Sequence, residues 1–484
     1  MFEKIKNFYI TTTLPYINSE PHIGFAAEII KADVIARYQR QRGATVFFNT
    51  GTDEHGLKIY QKAQELEVDI QEFCDEYSAK FLPLKEKLNL SYNKFIRTTD
   101  PAHEAAAQEF WRRCAANGDI YKKSYKVKYC VGCELEKTDS ELTNGRCPLH
   151  PNRDLEIIEE ENYFFRFSKY QAPLLKLYAS KSDFVLPAGR LKEIISFVES
   201  GLQDFSISRL RSKMPHGIAV PGDDSQVMYV WFDALVNYIS TLGWPNNFDK
   251  SGNYEKYWPG LQVCGKDNLR PQAAMWQAML LSTNLPNSSQ VLVFGFLTAN
   301  GKKISKSLGN GVDPYELADK YGADALRYYL LAEIPPYDDG DYSEDKFRER
   351  YNADLANGLG NMVARVANLL EKNEIKTNLK VNLLDQGIKS LVENLEIKMK
   401  DYHFNEALQI IWEKIKATDE TLSRTAPWKM KDAKEIEQVL RPIAADILNL
   451  AYLLEPFLPA SSEKIQKQFS QPQIKKGESL FPRL

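Results

Sequence analysis

Four residues spaced Cys130-x2-Cys133-x13-Cys147-x2-His150 have the pattern of a metal site, in which two short turns present three thiolates and one imidazole to a single tetrahedral ion. Three sulfurs and a nitrogen form a soft donor set that selects zinc, and four protein ligands leave no position for water, so the ion is expected to be structural. The remaining cysteines, Cys74, Cys114 and Cys264, stand apart from this tract, which is not how a disulfide framework is distributed. Two other segments carry groups suited to phosphate. Pro21-His22-Ile23-Gly24 lies where an extended run hands over to a helical one, so backbone N–H groups and the helix dipole would face an anion, with His22 as a donor and Gly24 allowing close approach. Lys302-Lys303-Ile304-Ser305-Lys306-Ser307 sits in a glycine-flanked loop whose lysines and hydroxyls suit a mobile clamp on the charge of a transferring phosphate. Either segment alone reads as an ordinary helix start or a solvated basic loop. The informative observation is the pair, at the start and the end of one nucleotide-binding pattern.

These groups need elements to hold them. KNFYITTTLPYINS is rich in β-branched and aromatic residues and ends in a turn, and EPHIGFAAEIIKADVIARYQRQRG follows with apolar residues at helical spacing up to a glycine. ATVFFNTGTDEHG and the helical LKIYQKAQELEV repeat the pattern, giving the β-α-β-α order of a doubly wound parallel sheet. Ligands of such sheets bind beyond the carboxyl ends of the strands, where residues 21–24 and 52–56 would lie. From 121 to 215 the chain becomes charged, turn-rich and cysteine-bearing, which predicts an insertion. Strand signals return in QVMYVWFDAL, YWPGLQVCGKDN and SSQVLVFGFLTANGKK, with the helical PQAAMWQAMLLS between the last two, as a second half of the sheet requires. After about residue 351 only long helical patterns remain. The expected fold is α/β: a split Rossmann-like, doubly wound parallel sheet with a zinc-knuckle insertion, followed by an all-α helical-bundle domain. The expected segments are 1–120 and 216–310 as the two halves of the nucleotide-binding domain, the second carrying the lysine loop, 121–215 as the insertion, 311–350 as a linker region and 351–484 as the bundle.

Composition sets the outer bounds. The 484 residues, 43% hydrophobic and 26% charged, are those of a globular protein of several units. A net charge of -3 offers no broad basic surface, so any RNA contact must rest on local patches. The longest clearly apolar stretch, residues 291–297, is far short of the roughly 20 residues needed to span a bilayer. MFEKIKNFYI has no signal-peptide core, and the expectation is a cytoplasmic protein with no membrane partner.

Together the His22 and Lys303 segments resemble the two signatures of class I aminoacyl-tRNA synthetases, His-Ile-Gly-His and Lys-Met-Ser-Lys-Ser, in the same order and setting. Over essentially its whole length the chain is similar to methionyl-tRNA synthetases of the bacterial type. The resemblance implies activation of L-methionine by ATP to methionyl-adenylate, releasing pyrophosphate, and transfer to the 3′ end of tRNA(Met), releasing AMP. Its partners would be ATP, methionine and a tRNA, so RNA and not DNA, with Mg²⁺ accompanying ATP beside one structural Zn²⁺. By the same resemblance His22, Gly24, Lys303 and Lys306 serve the in-line attack of a carboxylate on the α-phosphate, and Gly265-Lys266-Asp267 is similar to the ribose-binding element, bringing Gly265 and Asp267 to ATP. The methionine site would take Leu14 and Tyr16 from Thr13-Leu14-Pro15-Tyr16, Asp53 on the α-ammonium, Trp231 and Ala234 from Tyr229-Val230-Trp231-Phe232-Asp233-Ala234, and Tyr238 and Trp276. A thioether offers little polarity, so a ring-lined pocket is what discrimination would use. In the bundle, Asn361, Arg365 and Trp428 look like the family's anticodon-binding residues, which hydrogen-bond or stack on splayed bases, and residues 311–350 correspond to a stem-contact region.

The chain also departs from the family. Phe25 stands at the fourth signature position, where a second histidine is usual, so one phosphate-proximal donor is missing. Residues 268–272 read Asn-Leu-Arg-Pro-Gln where the family supplies apolar and imidazole contacts, and Leu235 replaces a frequent proline, which leaves the shape of the methionine pocket open. No appended oligonucleotide-binding domain follows the bundle, so a monomer is expected. Two alternatives stay open. One is another class I synthetase, for cysteine, valine, isoleucine or leucine, although the last three should carry a larger editing insertion because one methylene discriminates only ~1–3 kcal/mol. The other is a catalytically retired relative that only binds tRNA, for which Phe25 argues and against which the retained His22, Asp53, Asp267 and lysines stand.

Overall fold

The apolar runs near the N-terminus form parallel strands. The structure is a computed structural model and describes residues 6–137, 139–245, 252–299, 301–303 and 311–484. β1 (Asn7–Thr11), β2 (Thr45–Thr52) and β3 (Lys94–Arg97) pair in parallel, with Phe8 opposite Val46 and Thr50 opposite Phe95. β4 (Ile120–Cys130), β5 (Leu135–Lys137) and β6 (Glu156–Phe165) then form an antiparallel ladder. β7 (Val185–Leu186) leaves that ladder for the edge of the parallel sheet, and β8 (Phe205–Ser206) returns to it, giving the order β5-β4-β6-β8. β9 (Ser208–Leu210), β10 (Ala219–Val220) and β11 (Asp223–Met228) make a small antiparallel sheet. β12 (Leu261–Gly265) and β13 (Gln290–Phe294) complete the six-stranded sheet, ordered β3-β2-β1-β12-β13-β7. The strand order reverses between β1 and β12, which is where a doubly wound sheet opens a crevice for ligand. Burial on both faces of these central strands explains why they read as continuous apolar runs.

Two runs divide differently from their expected reading. QVMYVWFDAL does not extend the parallel sheet: its first residues end β11, and Val230–Ala234 is a helical turn. The turn delivers the buried Asp233 carboxylate to two imidazoles, partners that a buried charge requires. SSQVLVFGFLTANGKK breaks at Gly295, where a Cβ would lie 2.0 Å from the carbonyl oxygen of Asp338. Its second part, β14 (Leu297–Ala299), joins β15 (Lys302–Lys303) and β16 (Gly340–Tyr342) in another sheet.

The chain forms two compact units. One comprises Met1–Pro21, Ala44–Pro83 and Tyr92–Val293, the other His22–Gly43, Leu84–Ser91 and Phe294–Leu484. The first holds the six-stranded sheet and an aromatic core in which Phe110 stacks on Trp276 at 5.5 Å. The second is mainly helical, with Ile23–Gln41, Asn361–Lys372, Gln386–Lys400, Phe404–Thr425 and Ala433–Leu454 as its longest helices among the described residues. Inside it Asp33 meets Arg327 at 2.8 Å with both side chains fully buried. Asp33 also accepts from Arg37, from the Ser91 amide and from the Ser91 hydroxyl, while Arg327 donates to the carbonyls of Pro456 and Phe457. This network ties helix Ile23–Gln41 to helix Ala323–Ala332 and to the turn after Ala433–Leu454. Among the described residues, no helix is long and apolar enough to cross a membrane.

Candidate functional site

In the first unit, segments far apart in sequence meet at the carboxyl ends of β1 and β2. The Asp53 amide donates to the Pro15 carbonyl at 3.0 Å and the Ile17 amide to the Asp53 carbonyl at 3.4 Å, so Leu14 and Tyr16 lie beside Asp53. Asp53 is 4% exposed and poorly supported: among the described residues its Oδ1 accepts only long bonds, from the His55 amide at 3.4 Å and the Thr98 hydroxyl at 3.5 Å. Burial, then the charges of Asp233 and Glu134, push its carboxyl well above the usual carboxylate range. Asp233 is the opposite case. Burial raises it, but His55 Nδ1 at 2.7 Å and His103 Nε2 at 3.0 Å hold it below its ordinary value. Of two buried acids, Asp233 is paired with two imidazoles, and Asp53 has no cationic side chain at hydrogen-bond distance among the described residues.

The same helical turn that anchors Asp233 presents Trp231 and Ala234, three residues apart, on one face. The indole N–H groups of Trp231 and Trp276 are buried with no hydrogen-bond partner among the described residues, and the Tyr16 hydroxyl is buried facing the Glu134 carboxyl. Tyr238 packs edge-on to Trp276 with ring centroids 5.9 Å apart. Gly265 ends β12 beside β1, and Asp267 follows in an exposed turn at the carboxyl end of that strand. The structure thus brings Leu14 and Tyr16 together with Asp53, and Tyr238 together with Trp276.

Four residues outside the expected set line or support this region. Glu134, directly after Cys133, is buried with positive φ and accepts from the Lys58 amide at 3.2 Å. With Gly56, Arg209, Tyr229 and Val230 it lines a cavity of about 530 Å³, where Arg209 lies 4.6 Å from the Tyr229 ring centroid. His103 completes the Asp233 cluster and bonds Ser240 at 2.9 Å. His216 contacts the His55 ring at 4.9 Å, and burial and that neighbour lower its pKa to about 4. Isolated charged residues and histidines carry no spacing signal, so only the fold could have found them.

The Cys130, Cys133, Cys147 and His150 ligand atoms all lie within 4.8 Å of one another. Cys133 Sγ is 3.4 Å from Cys147 Sγ, and His150 Nδ1 lies 3.3 Å from Cys133, 3.8 Å from Cys130 and 4.0 Å from Cys147. A tetrahedral zinc requires edges of about 3.5–3.8 Å, so this donor set fits the ion. Gly132 is needed there: a Cβ would sit 2.4 Å from the His150 ring.

In the second unit, His22 caps helix Ile23–Gln41, its Nδ1 accepting from the Gly24 amide at 3.1 Å. In the neutral ring this leaves the proton on Nε2, which is then a donor. A Cβ at Gly24 would stand 2.9 Å from that ring and displace it. The Ile23 amide donates to Val312, just past the lysine loop, at 3.0 Å. Lys303 lies in β15, and Lys306 is outside the described residues. Asn361 and Arg365 share helix Asn361–Lys372. Arg365 sits 5.3 Å from the centroid of the half-exposed Trp428 ring and pairs with Asp419 at 2.8 Å.

A family model described as "tRNA synthetases class I (M)" matches residues 8–154 and 141–367. A methionine–tRNA ligase from a Nostoc species is 43% identical over 96% of this chain and 90% of its own length. The chain belongs to the methionine–tRNA ligase family of class I synthetases. Another of its relatives, the ligase of Thermotoga maritima, is 41% identical over 96% of this chain and 75% of its own length. The solved methionyl-tRNA synthetase of Mycobacterium tuberculosis in complex with methionyl-adenylate superimposes with a TM-score of 0.92 at 35% identity, over 99% of this chain and all of that one. Membership of this family makes the chain an aminoacyl-tRNA synthetase and disposes of the cysteine, valine, isoleucine and leucine alternatives.

Proposed function

We propose that this chain activates L-methionine with ATP, releasing pyrophosphate, and transfers the methionyl group to the 3′ end of tRNA(Met), releasing AMP. The observation that carries the reading is Asp53, a buried carboxylate short of partners beside Tyr16, in a chain whose relatives are methionine–tRNA ligases. An α-ammonium is the cation that would satisfy it. Trp231, Ala234, Tyr238, Trp276 and Leu14 then enclose the side chain, where apolar rings favour a thioether over a hydrated group. Asp267 and Gly265 hold the ribose of ATP. His22 donates through Nε2 to phosphate, Gly24 leaves room for it, and Lys303 and Lys306 balance the charge that grows on the α-phosphate as the carboxylate attacks in line. No covalent nucleophile is required; positioning and charge stabilisation carry the reaction.

Mg²⁺ enters with ATP. Zinc held by Cys130, Cys133, Cys147 and His150 supplies no chemistry and fixes the turn that carries Glu134. Asn361, Arg365 and Trp428 read the anticodon, the ring by stacking and the polar groups by hydrogen bonds, and the protein acts in the cytoplasm. Charging of a tRNA(Met) transcript with labelled methionine tests the reading. Esterification of tRNA(Met), lost when its anticodon is changed, is expected; esterification that ignores the anticodon contradicts the role given to the bundle.

A further inference from the structure

The turn Val230–Ala234, which carries Trp231 and Ala234, has five residues, too few to hold a helical shape unaided. Two side chains within it serve as anchors. Phe232 packs on the rings of Phe110 and Trp111, an apolar contact that has no fixed direction. Asp233 is fully buried and is held on both oxygens by imidazoles, His55 Nδ1 at 2.7 Å from Oδ2 and His103 Nε2 at 3.0 Å from Oδ1. A carboxylate gripped at both oxygens is fixed in position and in plane, so this pair sets the rotation of the turn.

The two imidazoles lead to different places. The His55 amide donates to Asp53 Oδ1 at 3.4 Å, so His55 joins the turn to the carboxylate assigned to the α-ammonium. His103 is 1% exposed and belongs to Pro101–Ala116, a helix of 16 residues, and its Nδ1 meets the Ser240 hydroxyl at 2.9 Å. An ionised carboxylate only accepts, so His103 carries a proton on Nε2, and in the neutral ring its Nδ1 accepts from Ser240. Residues 53–55 and 230–234 are thus tied to each other through His55 and Asp233, and tied to a long helix through His103. We propose that His103 is a positioning residue for methionine, whose Nε2–H holds Asp233 and through it keeps Trp231, Ala234 and Asp53 in the arrangement that receives the amino acid. The proposal rests on the assignment of those three residues to the methionine site. Gly265 and Asp267, assigned to ATP, lie on another element, the end of β12 and the turn after it, so the effect falls on methionine and not on ATP.

Two amides separate the contacts of the ring. In His103→Gln the amide N–H2 reaches the place of Nε2 and can still donate to Asp233; in His103→Asn the shorter amide reaches only the place of Nδ1, beside Ser240. ATP–pyrophosphate exchange is the assay, with KM for methionine, KM for ATP and kcat read separately. His103→Asn is expected to raise KM for methionine about tenfold, the worth of one hydrogen bond to a charged group, with KM for ATP and kcat within about threefold of wild type. His103→Gln is expected to restore KM for methionine to within about threefold. A merely structural role would follow the melting temperature and show no such split. If His103→Asn does not fold, the wild-type protein labelled with ¹⁵N-histidine carries the test: methionine should slow solvent exchange of the His103 ring N–H, and an unchanged rate overturns the proposal. An unchanged KM for methionine in His103→Asn, an equal rise in both variants, or an equal rise in KM for ATP overturns the proposal and leaves the proposed function standing. Absence of methionine-dependent exchange in the wild type overturns both.

Discussion

Asp53→Asn keeps the shape of the side chain and removes its charge, and the structure assigns opposite signs to its effects on stability and on activity. In the free protein the carboxylate is buried with two long hydrogen bonds and the acidic neighbours Asp233, Glu134 and Glu54, which raises its pKa well above the usual range. Between the unfolded value of about 3.9 and the raised folded value, the native state holds a proton that the unfolded chain has lost. Stability therefore falls as pH rises through that window, by about 1.4 kcal/mol for each unit of displacement. Asparagine escapes the loss and still accepts from the His55 amide and Thr98, so the variant should melt at or above the wild-type temperature at neutral pH. Methionine binding feels the reverse. A charge-assisted bond to the α-ammonium disappears from a site of low dielectric, at a cost of about 3–4 kcal/mol, or roughly 10²–10³ in kcat/KM for methionine. ATP–pyrophosphate exchange over a methionine series, with a thermal melt of the same samples, reads both quantities. Activity within about threefold of wild type, or a loss of activity matched by a lower melting temperature, would refute the reasoning.

Arg327→Met should destabilise the protein by about 3 kcal/mol in chemical denaturation, since Asp33 would keep only Arg37 and Ser91 in a fully buried position. Burial raises Asp33, but Arg327 and Arg37 hold it below its ordinary value, so its contribution is complete at neutral pH and vanishes as pH falls through the folded pKa; the gap between wild type and variant should narrow in acid. Cys147→Ser should lower the zinc content from one ion per chain by elemental analysis and raise hydrogen exchange along β4 to β6, with retention of full zinc arguing against the tetrahedral assignment. Trp428→Ala should raise KM for tRNA(Met) roughly tenfold or more, as the loss of one base stack of about 1–3 kcal/mol requires, while the same variant with unchanged KM would remove Trp428 from the anticodon contacts.

The parallel strands and the clustering of Cys130, Cys133, Cys147 and His150 were legible because each rests on a short-range pattern: apolar runs such as Leu261–Gly265 for a strand buried on both faces, and fixed spacing for four donor side chains on two turns. The reading failed where long-range polar pairing decides the local conformation. Val230–Ala234 is apolar enough for a strand, yet it forms a helical turn in which the buried Asp233 carboxylate meets His55 and His103. The π-helical turn holding Gln272 depends on Gln262 and Gln277, whose mutual orientation no periodicity encodes. Helix Ile23–Gln41 reads as the ordinary crossover after β1, but the buried Asp33–Arg327 pair gathers it with residues about 300 positions later in the second unit. Glu134 was hidden beside a stronger signal, the adjacent Cys133 of the metal-compatible cluster.

The most direct test of the central claim is ATP–pyrophosphate exchange with purified protein, Mg²⁺ and no tRNA, offered each of the standard amino acids in turn. Exchange supported by methionine and by no other is the predicted result, and would also establish that Phe25 is tolerated at the fourth signature position. Exchange with a different amino acid would contradict the pocket assignment, and no exchange with any would contradict the activation of methionine itself.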